Sequence, residues 1–160
     1  MIIEQSEQVI REIKKVFIGK DKIIEKVLMA IYAGGHILLE DAPGVGKTTL
    51  ALGFSRALDL SYRRIQFTPD TMPSDITGFS VYDKNTGSLE YKPGAASANM
   101  LLGDEINRTS PKTQAALLEV MEEGNVTIDG VTHPLPAPFI CIATQNHYGA
   151  AGTQVLPESQ

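Results

Sequence analysis

At 160 residues, with 42% hydrophobic and 21% charged side chains, the chain is long enough for one domain with a sizeable core and has an ordinary globular balance. A net charge of −5 and a pI near 5.2 weigh against electrostatic binding to nucleic acid or an anionic membrane surface as the main activity. No apolar run reaches the length of a membrane span, no basic-then-apolar leader opens the chain, and the single cysteine, Cys141, lies in an apolar run as a buried thiol of a reducing, cytoplasmic compartment would. The three histidines, His36, His133 and His147, have no metal-ligand spacing.

Residues 1–18 read as an amphipathic helix, because Ile3, Ile10, Ile13 and Phe17 recur at three- and four-residue steps, and Gly19 stops it. A second helical pattern carries Ile23-Ile24, Val27-Leu28 and Ile31-Tyr32 on one face until Gly34-Gly35. A short strand, about His36–Leu39, then enters the turn Asp41-Ala42-Pro43-Gly44-Val45-Gly46-Lys47-Thr48-Thr49, and a helix is expected from Lys47 to about Leu58. Tyr62–Phe67 reads as a second strand, and Thr68–Asp75 as a turn-rich connection. Val81-Tyr82 and Leu89-Glu90-Tyr91 flank Asp83–Ser88 as a small hairpin. Asn99–Gly103 is the third strand, ending in Asp104-Glu105. The next helix is punctuated by Ser110 as N-cap, Pro111 at its first position and Gly124 as stop, with Glu119, Glu122 and Glu123 crowding its negative end. Asn125–Thr132 reads as a hairpin turning at Asp129-Gly130. Three prolines, Pro134, Pro136 and Pro138, lead into the fourth strand, Phe139–Ala143, which ends in Thr144-Gln145-Asn146. Apolar strands alternating with helices predict an α/β layer fold with a mainly parallel sheet and ligands at the strands' carboxyl ends.

Three strand ends carry residue types suited to one chemistry. After the first strand, glycines let the backbone approach an anion and turn several N–H groups toward it, at the positive end of a helix. Lys47 adds a full charge against the β- and γ-phosphates, and the Thr48 hydroxyl is a ligand type for Mg²⁺. The template G-x-x-x-x-G-K-[ST] has one departure, Asp41 at its first glycine. Asp104 and Glu105 follow an apolar run as in a Walker B segment. The first suits the Mg²⁺ shell and the second suits orienting or deprotonating water. Asn146, after the fourth strand, is a neutral group able to sense the γ-phosphate or place that water.

With these residues in view, the sequence resembles the MoxR family of AAA+ ATPases, in the clade with an insert in its second helix. The specific stretches are Leu38–Leu50, Arg64–Asp70, Pro73–Gly78, Asp104–Arg108 with Pro111–Gln114, and Ile142–Asn146. The resemblance implies a P-loop AAA+ core with two β-hairpin inserts, around Asp83–Ser88 and Asp129-Gly130, and a sheet order of 5-1-4-3-2. It implies an ATP- and Mg²⁺-dependent, chaperone-like machine, its parent a homo-oligomeric ring (a hexamer) partnered with von Willebrand factor A domain proteins. Residues 42–49 would hold the nucleotide: Ala42, Pro43, Gly44, Val45, Gly46, Lys47, Thr48 and Thr49. Phe17, Ile18 and Gly19 would lie near the adenine, and Asn146 would be the sensor 1 residue. Departures follow Asn146, where His147-Tyr148-Gly149-Ala150-Ala151 replaces a usual proline and acidic stretch. Residues 1–160 are expected to form a partial core, with arginine finger, fifth strand and helical lid beyond Gln160. Two other readings are a nucleotide-gated scaffold with little turnover and a magnesium-chelatase-like motor, against which Arg64–Asp70 speaks. Arg108 is expected at a subunit boundary.

Overall fold

The computed structural model describes residues 2–40, 46–145 and 156. In chain order its elements are helices α1 (Ile2–Lys14) and α2 (Asp21–Tyr32), strand β1 (Ile37–Glu40), helix α3 (Lys47–Ala57), strand β2 (Tyr62–Gln66) and the short helix α4 (Pro73–Thr77). The hairpin β3 (Gly78–Asp83) and β4 (Ser88–Pro93) follows, then strand β5 (Met100–Asp104), a 3-10 turn (Ile106–Arg108) and helix α5 (Pro111–Glu123). The hairpin β6 (Asn125–Ile128) and β7 (Val131–Pro134) and strand β8 (Ile140–Gln145) complete the described elements.

Strands β1, β8, β5 and β2 form one parallel sheet in that order. This is the 1-4-3-2 part of the expected order. The register aligns Glu40 with Gln145 and Gln66 with Asp104, so the polar strand ends lie along one rim.

Side-chain alternation builds the two layers on this sheet. Met100, Leu102, Ile140 and Ile142 face α1, α2 and α3, packing with Ile13, Ile24, Leu50 and Phe54. The alternate residues Leu101, Cys141 and Ala143 face the other way, against Phe67, Ile76, Leu117 and Val120. Every residue of β5 is buried, as a central parallel strand covered on both faces should be. Burial pushes the Cys141 thiol up to about 12, which fits the inert buried thiol expected there.

His36 is a strap rather than a ligand. The Cys141 N–H donates to its Nδ1 at 3.0 Å, so the ring proton sits on Nε2 and donates to the Met121 carbonyl at 3.0 Å.

Some local readings are revised. The first helix ends at Lys14 and the chain tightens, with the Val16 N–H donating to Ile13 O at 3.0 Å, which turns Phe17 into the core. The connection after β2 contains α4, set by Pro73 at its first position and by Asp75, whose Oδ2 accepts from the Met72 N–H at 2.8 Å. That combination of proline and acidic third residue was readable as a helix start. The hairpin at Asp129-Gly130 has φ of 51° and 79°, the paired left-handed turn that Asp-Gly favours. The two hairpins meet where Tyr91 stacks on His133, ring centroids 3.9 Å apart, and the Tyr91 hydroxyl donates to the Thr77 carbonyl at 2.6 Å.

Gly103 shows how tightly the Walker B-like strand is packed. A Cβ there would lie 2.8 Å from Cε2 of the fully buried Phe67. Gly103→Val should therefore destabilise the fold by about 1–3 kcal/mol through overpacking. An unshifted urea midpoint for this variant would show that the layer has slack.

Candidate nucleotide site

The site starts at Gly46, the residue before α3, with φ 76° and ψ 27°. This left-handed geometry suits glycine, and an added Cβ would stand 3.0 Å from Cε2 of Phe17. The Gly46 carbonyl accepts the Leu50 N–H at 2.8 Å, which closes the first turn of α3. Lys47 and Thr48 follow at once, both half-buried, and Thr49 is exposed. The remaining N–H groups of this first turn and the helix dipole are of the kind that favours an anion.

Phe17, Ile23, Leu39, Glu40, Lys47 and Leu50 line a cleft of about 230 Å³ beside that turn. Of the three residues expected near the adenine, Phe17 lines this cleft. Ile18 is 84% exposed, and Gly19, at φ 82°, lines an adjoining open depression with Lys20 and Ile23. Ala42, Pro43, Gly44, Val45, the departure at Asp41 and the sensor candidate Asn146 lie outside the described residues. The β8 end just before Asn146 is tied to β1, since Gln145 Nε2 donates to Glu40 Oε1.

Asp104 closes β5 on the same face as Met100 and Leu102, toward α3, and is 8% exposed. Its Oδ2 accepts from Arg64 Nε at 2.6 Å, and its Oδ1 lies 3.4 Å from the Thr144 hydroxyl. The Asp104 carboxylate raises the pKa of Arg64, chiefly through this hydrogen bond. Two residues earlier on the same face of β2, the buried Tyr62 hydroxyl has no hydrogen-bond partner among the described residues. Burial pushes its pKa up, against the pull of Arg64.

Glu105 has φ 59° and ψ 49°, a left-handed conformation that costs a non-glycine residue free energy. Its N–H donates to Thr144 Oγ1 at 3.0 Å, so the buried Thr144 holds the backbone in this pose. Arg108 Nη1 donates to Glu105 Oε2 at 2.8 Å. From α5, Gln114 Nε2 donates to the carbonyls of Ile106 at 3.2 Å and Thr109 at 3.3 Å, fixing the turn between them.

The structure thus brings Asp104, Glu105 and the polar end of β8 together on the rim where α3 begins. It adds Arg64 and Thr144, which reading the sequence missed. Their signals were a charged residue two after Tyr62 in a strand and a buried hydroxyl at an apolar strand's end. No cluster of three or more metal-ligating His, Cys, Asp or Glu occurs among the described residues. A Mg²⁺ ion needs no such cluster, since it keeps waters and takes one or two protein oxygens besides phosphates. The hydroxyl of Thr48 and the carboxylate of Asp104 are oxygen donors of that type. Among the described residues, no helix is long and apolar enough to cross a membrane.

Residues 36–160 match the model of the ATPase family associated with various cellular activities (AAA). The chain belongs to this family of ATPases. Its homologues there are MoxR proteins: it is 44% identical over 154 residues to Chaperone MoxR1 of Mycobacterium tuberculosis, covering 96% of this chain and 41% of the relative. It is also 52% identical over 151 residues to the Bacillus subtilis protein YeaC, covering 94% of this chain and 47% of that one. A crystal structure of a Cytophaga hutchinsonii protein classed as an ATPase superposes with a TM-score of 0.85 at 43% identity, over 99% of this chain and 50% of the other. The chain spans less than half the length of these curated relatives.

Proposed function

We propose that this chain supplies the nucleotide site of a MoxR-type, ring-forming ATPase that binds Mg²⁺-ATP and uses its hydrolysis to remodel partner proteins. The observation that carries the reading is the left-handed Glu105, pinned by Thr144 beside the buried Asp104, on the rim where Gly46 and Lys47 open α3. In this reading Lys47 holds the β- and γ-phosphates, and residues 42–46 with Thr49 wrap the phosphate chain. Phe17, with Ile18 and Gly19, bounds the adenine end of the cleft. Thr48 and Asp104 would hold Mg²⁺, whose chemistry there is neutralisation of charge on the phosphate oxygens. Arg64 holds Oδ2 of Asp104, while among the described residues Oδ1 has only the longer 3.4 Å contact with the Thr144 hydroxyl. Glu105 orients the attacking water and takes its proton, and Asn146 places the same water against the γ-phosphate. A homo-oligomeric ring, a von Willebrand factor A domain partner and a cytoplasmic setting belong to the same proposal.

Titration of the full-length protein with ATP, with and without Mg²⁺, tests it together with phosphate release. Binding in the micromolar-to-millimolar range usual for enzymes, roughly 1 μM–1 mM, is expected, with turnover only when Mg²⁺ is present. No saturable ATP binding in that range would overturn the reading.

A further inference from the structure

Strand β8 runs between β1 and β5 in the sheet, and its last two residues reach in opposite directions. Thr144 turns to β5, where its hydroxyl accepts the Glu105 N–H at 3.0 Å. Gln145 turns to β1, where its Nε2 donates to Oε1 of Glu40. Glu40 and Gln145 are also the last pair in the β1–β8 register, which runs one to one from Ile37 and Ile142. The side-chain bond is therefore the last cross-strand tie in the described part of these two strands.

What each strand leads into gives this tie its interest. After Glu40 the chain enters residues 41–45, which lead to Gly46-Lys47-Thr48, and directly after Gln145 comes Asn146. Glu40 itself lines the cleft with Phe17 and Lys47. An amide donating to a carboxylate makes a charge-assisted bond, stronger and more directional than a neutral pair. Glu40 is exposed and Gln145 half-buried, so the bond adds modestly to global stability. Its loss would be felt as a change of local geometry at the strand ends.

We propose that Glu40 and Gln145 are positioning residues, a clip that sets the separation between the phosphate turn after β1 and Asn146 after β8. The proposal rests on the reading of Asn146 above, as the group that places water against the γ-phosphate. The clip acts at the γ-phosphate end of the nucleotide, so it governs hydrolysis and the discrimination of ATP from ADP more than overall affinity. Rate is steeply sensitive to such placement, since a misplacement of about 1 Å can cost on the order of 10²-fold.

Variants of the full-length protein test it. Gln145→Leu removes the bond, and Gln145→Glu sets two carboxylates on directly opposed residues, a repulsive pair. Basal kcat should fall about three- to fivefold in the first and about tenfold in the second, with KM for Mg²⁺-ATP and melting little changed. The preference for ATP over ADP should narrow in the same order. Glu40→Gln combined with Gln145→Glu exchanges amide and carboxylate across the strands and should recover most of the loss. In nucleotide-free protein, the Gln145 side-chain amide resonance, assigned by its absence in Gln145→Leu, should move in Glu40→Gln. A wild-type kcat in folded Gln145→Glu, an exchanged variant no better than Gln145→Glu, or an unmoved amide resonance would overturn the proposal. Gln145→Leu carries the rate test if Gln145→Glu does not fold. Should wild type itself fail to bind Mg²⁺-ATP, the nucleotide reading fails, whereas normal wild-type turnover with no response to Gln145 removes this inference alone.

Discussion

Lys47→Ala is expected to lower Mg²⁺-ATP affinity by about 10²-fold or more, while Glu105→Gln keeps the affinity and loses about 10²–10⁴-fold in kcat. The contrast follows from where the two residues stand. Lys47 opens α3 beside the left-handed Gly46, lining the cleft with Phe17 and Glu40, where a phosphate chain would carry several negative charges. Removing its ammonium would take a full positive charge away from that cleft. Glu105 lies past the end of β5, after the metal-suited Asp104, and its amide analogue keeps the shape but cannot take a proton. Calorimetric titration of both variants beside single-turnover phosphate release separates the roles. Equal loss of affinity in the two would remove the distinction between a phosphate ligand and a water-directing base.

Thr144→Val is the second variant expected to act strongly, because one hydroxyl serves two carboxylate-bearing residues. It accepts the Glu105 N–H at 3.0 Å and donates toward Asp104 Oδ1 at 3.4 Å, from a position 1% exposed. Valine is nearly the same shape, so the packing survives while a buried N–H loses its partner, a loss of about 1–3 kcal/mol in stability. Glu105 would then lack the bond that holds its left-handed backbone, and it should relax toward an ordinary conformation. The variant should melt earlier and hydrolyse ATP more slowly, with KM little changed. Thr144→Ser, which restores the hydroxyl, should recover most of both. If valine behaves like wild type in melting and turnover, the backbone of Glu105 is held by something other than Thr144.

The elements differ in how readily they could be read. Helix α5 was legible because Ser110, Pro111 and Gly124 punctuate it, and the structure shows the Thr113 N–H on Ser110 Oγ at 3.3 Å and Gly124 at φ 64°. The four core strands were legible as short apolar runs, each found within a residue or two of its expected ends. Helix α4 was hidden by its length of five residues, too short for apolar periodicity to register. The 3-10 turn after Glu105 was likewise too short to announce itself.

What the sequence by itself determined is therefore the layer class and the residue types along the rim. Apolar runs specify buried parallel strands, and the residue types at their ends are Gly46-Lys47-Thr48, Asp104-Glu105 and Asn146, the last outside the described residues. Tertiary structure alone decided who holds whom on that rim. Arg64 reaches Asp104 from 40 positions away, and Thr144 reaches Glu105 from 39, each across neighbouring strands. Such pairs depend on strand register, and a slip of one residue would send each side chain to the opposite face. The Glu105–Arg108 pair is local in sequence, yet it too needed the fold. An i,i+3 contact is open to many chain conformations, and here the Thr144 and Gln114 hydrogen bonds select the one turn that makes it.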